Sequence, residues 1–181
     1  SALNCSVAYA AEELGADAIG FTLYAGTNGE VEMAEEFRRV QEAARAHDLG
    51  VVMWAYPRGQ GVKNDTKPGV ISYAARMGLE LGADVAKIKY PGSADAMAHA
   101  CEMAAPTKVV MSGGSKTDDR AFLETVSDAI DAGAEGLAVG RNVFQRDNPQ
   151  EILDALEAVI FEEASVEEAL EHTSAAAVAD D

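Results

Sequence analysis

Short apolar runs alternate along this chain with longer segments whose apolar positions recur every three or four residues. Five runs read as strands, at residues 18–24, 51–56, 85–90, 108–111 and 136–139. Between them the period is helical. Met33, Phe37, Val40 and Ala44 fall on one face, as do Phe122, Val126 and Ile130, and again Ile152, Leu156 and Val159. One phrase recurs before the strands, as Leu14-Gly15-Ala16-Asp17, Leu81-Gly82-Ala83-Asp84 and Ala132-Gly133-Ala134-Glu135. Glycine accepts the left-handed conformation that closes a helix, so each phrase predicts a helix stop followed by a strand. Pro68 and Pro149 suit first-turn positions, Asn148 suits a cap, and Ser165 with Glu168 reads as a capping box. From Ser174 onward the alanine- and aspartate-rich end reads as frayed.

Strand–helix units of roughly 25–35 residues predict a parallel sheet. Five strands are visible, whereas a closed barrel needs eight. The sequence opens without methionine, in a stretch that reads as helix. The expected fold is therefore α/β: a (β/α)8 TIM barrel of which residues 1–181 carry the last five strand–helix units as a single partial domain. A five-stranded doubly wound sheet is the alternative.

Charge changes the picture next. Thirty-one acidic residues against fourteen basic ones leave a net charge of −17. Such a surface repels nucleic acid and anionic membranes, so neither is an expected partner. It is like the acidic surface of proteins from a salt-rich cytoplasm, where repulsion is screened over a few ångströms. No apolar run is long enough to span a bilayer. Cys5 and Cys101 show no metal-binding or secreted-scaffold spacing, which fits a reducing cytoplasmic setting. His47, His99 and His172 fall in helical or tail segments rather than at strand ends, so neither metal nor cofactor is expected.

The candidate chemistry sits on the strands. Side chains alternate faces, so Lys87 and Lys89 point the same way, opposite Ile88 and Tyr90. If Ile88 faces the helices, two of the chain's six lysines enter the barrel interior. Burial and a neighbouring cation both favour the free amine that attacks a ketone. A strand ending early would instead leave both lysines solvated, and alternation does not choose between them. Trp54 and Tyr56 share a face on the preceding strand, either as barrel filling or with the phenol near Lys87 as a proton donor. Ser112-Gly113-Gly114 and Gly140-Arg141 end the last two strands, where barrels commonly hold a phosphate.

Together, Trp54-Ala55-Tyr56-Pro57-Arg58-Gly59, the stretch from Gly82 to Tyr90, Met111-Ser112-Gly113-Gly114 and Ala138-Val139-Gly140-Arg141-Asn142 resemble the archaeal-type class I fructose-1,6-bisphosphate aldolases. The resemblance implies that Lys87 is the Schiff-base lysine, that Tyr56 transfers protons and that Trp54 lines the substrate site. It implies a sugar-phosphate substrate held by Ser112, Gly113, Gly114, Gly140 and Arg141, with Lys89 as a further substrate contact, and a homo-oligomer. It also implies a catalytic aspartate on a first strand that this sequence does not contain. A branch making 2-amino-3,7-dideoxy-D-threo-hept-6-ulosonate shares the lysine and the phosphate site; Trp54 favours fructose bisphosphate. A non-catalytic sugar-phosphate-binding barrel is the reading from another class.

Overall fold

The computed structural model describes residues 5–174. Strands and helices alternate as α1 (Val7–Glu12), β1 (Ala18–Leu23), α2 (Glu30–Ala46), β2 (Gly50–Ala55), α3 (Pro68–Glu80), β3 (Val85–Lys89), α4 (Ala94–Ala104), β4 (Lys108–Ser112), α5 (Asp119–Asp131) and β5 (Gly136–Ala138), followed by α6 (Arg141–Phe144), α7 (Pro149–Phe161) and α8 (Val166–Leu170). The repeated phrase does what its glycines predict, with φ of 59° at Gly15, 76° at Gly82 and 96° at Gly133. After α2, where there is no glycine, Asp48 takes the left-handed conformation at 57°. A short polar side chain is among the few that tolerate it.

Caps confirm most helix starts. Pro149 opens α7 behind Asn148, which accepts from Gln150 N–H, and Ser165 with Glu168 forms the capping box of α8. Helix α1 begins at Val7 behind Ser6, whose hydroxyl accepts from Tyr9 N–H, and residues 1–4 of the stretch read as helix lie outside the described residues. Ser174, read as the start of a frayed end, donates its N–H to Glu151 at 2.8 Å. Residues 175–181 of that end lie outside the described residues.

The five strands form one sheet in sequential order, every neighbouring pair parallel. A doubly wound sheet reverses strand order at a switch point, and no reversal occurs here. This is five consecutive units of a β/α barrel wall. Alternate residues of β1 to β4, including Phe21, Leu23, Met53, Ile88 and Met111, are buried against the helices. They meet Phe37 of α2, Ile71 of α3, Met97 of α4, Leu123 of α5 and Ile152 of α7. Each such side chain contributes about 1.5–3 kcal/mol on burial. With these positions committed to the helices, Thr22, Trp54, Lys87, Lys89 and Ser112 must face the lumen. Strand β3 is seated closely: a Cβ at Gly78 of α3 would lie 2.8 Å from the Ala86 Cβ. That seat fixes which way the next residue, Lys87, points.

Candidate active site

Register sets the layers of the lumen. Trp54 pairs with Lys87, and Lys87 with Val110; one layer further along, Lys89 pairs with Ser112 and Ser112 with Ala138. Tyr56, two residues beyond Trp54, belongs to the layer of Lys89. Both Tyr56 and Lys87 line the same cleft. The Tyr56 hydroxyl makes no hydrogen bond to protein among the described residues. The Lys87 ammonium lies 5.8 Å from the centroid of the Trp54 ring. That ring has room because β1 carries a glycine beneath it: a Cβ at Gly20 would be 2.8 Å from Trp54 Cζ2.

Lys89 is held differently. Its ammonium forms an ion pair with Asp65, from the loop between β2 and α3. The hydrogen bond from Lys89 holds the Asp65 carboxyl below its ordinary value, against the opposing pull of desolvation. The expected second cation beside Lys87 thus carries its own counter-charge. Nothing in the irregular sequence of that loop singled out Asp65.

The strand ends of β2 to β5 open into a cleft of about 720 Å³. Its walls include Tyr56, Arg58, Lys87, Lys89, Ser112, Gly113, Gly114, Gly140 and Arg141. Trp54 is the expected site residue that does not line it; the indole forms the floor beneath Lys87 instead. Among the described residues, four basic side chains line this cleft, Arg58, Lys87, Lys89 and Arg141, and no acidic one does. A chain of net charge −17 therefore presents a cationic mouth at one place, which attracts and orients an anion. A larger groove, about 830 Å³, runs outside the barrel between α2 and α3 and is lined by helix residues alone. It holds no residue from a strand end.

The loop after β4 is shaped for an anion. Gly114 has φ of 62°. The carbonyl of Gly113 accepts from Asn142 Nδ2 at 2.5 Å, that of Gly114 from Arg141 Nη2 at 2.9 Å, and that of Ser115 from Asn142 Nδ2 at 2.9 Å. The amides of Gly113, Gly114 and Ser115 themselves donate to no protein acceptor among the described residues. Successive free N–H groups in a concave turn form an anion nest. Gly113 is required for packing as well: a Cβ there would lie 2.6 Å from Val139 Cγ1.

Two further residues mark limits of the sequence reading. Tyr90 also lines the cleft, but its hydroxyl donates to Asp128 of α5 at 3.0 Å. Burial, helped by that carboxylate, pushes the phenol up to about 12, so it stays protonated. Asn142 stood inside a quoted motif without a role. Its side chain proves to be buried, 1% exposed, and bonded to the loop after β4. The histidines His47 and His99 lie near Glu12 and Glu102 on outer helices.

Comparison with known proteins agrees with this geometry. The chain is 72% identical over 170 residues to a class 1 fructose-bisphosphate aldolase of Halobacterium salinarum, matching 94% of this chain and 64% of that protein. It is 36% identical over 159 residues to 2-amino-3,7-dideoxy-D-threo-hept-6-ulosonate synthase 1 of Archaeoglobus fulgidus, covering 88% of this chain and 58% of that one. The structure of an archaeal fructose-1,6-bisphosphate aldolase with its catalytic lysine covalently bound to the carbinolamine intermediate of the substrate superposes with a TM-score of 0.86 at 44% identity, over 88% of this chain and 64% of that one. The chain thus spans about 64% of the length of the Halobacterium relative. Residues 3–146 match the family described as DeoC/LacD family aldolase. Covering most of the chain, and with a lumen lysine beside an anion nest, that match shows that the chain belongs to the DeoC/LacD family of aldolases.

Proposed function

We propose that this chain carries the Schiff-base and phosphate-binding walls of a class I fructose-1,6-bisphosphate aldolase. One observation carries the reading: a lumen lysine and a nest of free amides share a cleft whose walls, among the described residues, carry no carboxylate. The Lys87 amine attacks the ketose carbonyl and water leaves, giving a protonated imine. That cation forms where Nζ already faces the Trp54 ring, whose negative face favours positive charge. The iminium accepts the electron pair of the C3–C4 bond as it breaks, and glyceraldehyde 3-phosphate departs from the enamine. The Tyr56 phenol then supplies the proton to the enamine carbon, and hydrolysis releases dihydroxyacetone phosphate. Binding at Ser112, Gly113, Gly114, Gly140 and Arg141 uses phosphate contacts remote from the reacting bond to orient it. The C4 hydroxyl proton also needs an acceptor, and the catalytic aspartate that the resemblance implies on a first strand, outside these residues, is the candidate for it.

Borohydride reduction in the presence of dihydroxyacetone phosphate, applied to the full polypeptide in concentrated salt, tests this reading. A stable adduct on the peptide containing Lys87, lost in Lys87→Met, is expected; unmodified Lys87 with a folded protein sinks it. The aminoheptulosonate reading shares the lysine and the nest. Trp54 and the higher identity to the fructose-bisphosphate aldolase favour fructose bisphosphate. Comparing its cleavage with transfer to aspartate semialdehyde decides between them. A homo-oligomer in a cytoplasmic setting completes the proposal, consistent with Cys5 and Cys101 as free thiols. Sedimentation of the full polypeptide reads its assembly state.

A further inference from the structure

We propose that Asn142 is the positioning residue of the phosphate nest, turning its amides toward the cleft without touching the ligand. The inference rests on the nest assigned above. Asn142 lies on α6, beyond β5, yet its side chain reaches the loop beyond β4. Its Nδ2 donates to the carbonyls of Gly113 and Ser115, and its Oδ1 accepts from Thr117 N–H at 3.0 Å. One planar amide thus meets three backbone groups within five residues. It is 1% exposed, so water does not substitute for any of these bonds.

The asparagine is itself held. Its main-chain carbonyl accepts from Arg146 Nε at 2.8 Å, and Arg146 also donates to the Thr117 carbonyl at 3.3 Å and pairs with Asp119 at the start of α5. The two strand-end loops are therefore tied on the side away from the cleft. A peptide unit has its N–H and C=O on opposite sides. Holding the Gly113 carbonyl consequently orients the Gly114 amide of the nest, the Arg141 bond to the Gly114 carbonyl does the same for the Ser115 amide, and the bonds to the Ser115 carbonyl and Thr117 N–H anchor the far end of the loop.

Few side chains offer two donors and one acceptor on a stem this short. Aspartate has nearly the same shape and keeps the acceptor for Thr117, but in place of Nδ2 it turns one oxygen toward two carbonyl oxygens. Asn142→Asp should therefore rotate the loop without emptying the space. A residue needed only for folding would weaken every reaction alike, whereas a positioning role predicts a split.

The test compares Asn142→Asp with the parent in the full polypeptide, at one salt concentration. The inhibition constant of inorganic phosphate and the KM for fructose 1,6-bisphosphate should each rise about tenfold or more. Borohydride trapping of dihydroxyacetone, which has no phosphate, should stay within about twofold of the parent. Unchanged phosphate inhibition overturns the proposal. So does a parallel fall in dihydroxyacetone trapping, which would mark Asn142 as general support for the lysine. If Asn142→Asp does not accumulate folded, Asn142→Ser, which can keep part of the set, is read by the same two ratios. If the parent traps no imine at all, the aldolase reading falls, and calorimetric binding of inorganic phosphate to both proteins still decides the role of Asn142.

Discussion

Replacing Gly113 by alanine adds one methyl group where the loop after β4 meets the end of β5, the two proposed phosphate-binding segments. That methyl carbon would lie 2.6 Å from Val139 Cγ1 and 2.8 Å from its Cβ. Carbon atoms rest at about 3.5–4.0 Å, so each contact must open by roughly 1 Å. Valine gives little, because its branched Cβ leaves essentially one comfortable rotamer. Relief must come from the backbone, by parting the ends of β4 and β5. Overpacking of this kind costs about 1–3 kcal/mol, which lowers the midpoint of thermal unfolding by roughly 2–12 °C in a chain this size. Function should suffer more than stability, because the same movement displaces the free amides of residues 113–115. A misplacement of about 1 Å can cost on the order of a hundredfold in a reaction that depends on orientation. Steady-state cleavage of fructose 1,6-bisphosphate by Gly113→Ala, beside calorimetric phosphate binding and a thermal melt, separates the two losses. Phosphate affinity within twofold of the parent, with an unshifted melt, would refute the close seat of Gly113 on Val139.

Three other outcomes follow from the same structure. Gly78→Ala should gain about 1 kcal/mol of helix propensity yet destabilise by a net 1–2 kcal/mol, because its methyl meets Ala86 Cβ at 2.8 Å and neither atom can rotate away; chemical denaturation gives the sign, and a stabilised variant contradicts the packing of α3 on β3. With a net charge of −17, unfolding midpoints should rise by at least about 5 °C between 0.1 and 1 M KCl, as the screening length falls from about 10 to 3 Å; a flat salt profile removes the self-repulsion argument. Because Tyr90 holds its proton more tightly when folded, up to about 12, its contribution to stability is complete below the ordinary tyrosine value of 10 and is lost as pH rises toward 12. Absorbance titration at high pH should show Tyr90→Phe deleting the last tyrosine to ionise, and deletion of an early one would contradict its burial against Asp128.

Local rules account for much that the sequence determined. The alternation of β3 placed Lys87 and Lys89 opposite Ile88, and the structure buries Ile88 against helices while both lysines line the cleft. Helix stops at Gly15, Gly82 and Gly133 were equally legible, since a left-handed φ is a property of one residue. The family resemblance, not the alternation, distinguished Lys87 from Lys89. Tertiary structure decided what depends on distant partners. Sequential strand order excluded the doubly wound sheet. Register put Tyr56 in the layer of Lys89, and Trp54 became a floor because Gly20, on another strand, left space for its ring. Asp65 met Lys89 across 24 residues, and Asn142 met Gly113 across 29. A strand's two-residue period and a glycine's backbone freedom are properties of a short stretch of chain. Which carboxylate reaches which ammonium, or which amide turns a loop, depends on how the strands align and where the loops close, and no local pattern encodes that.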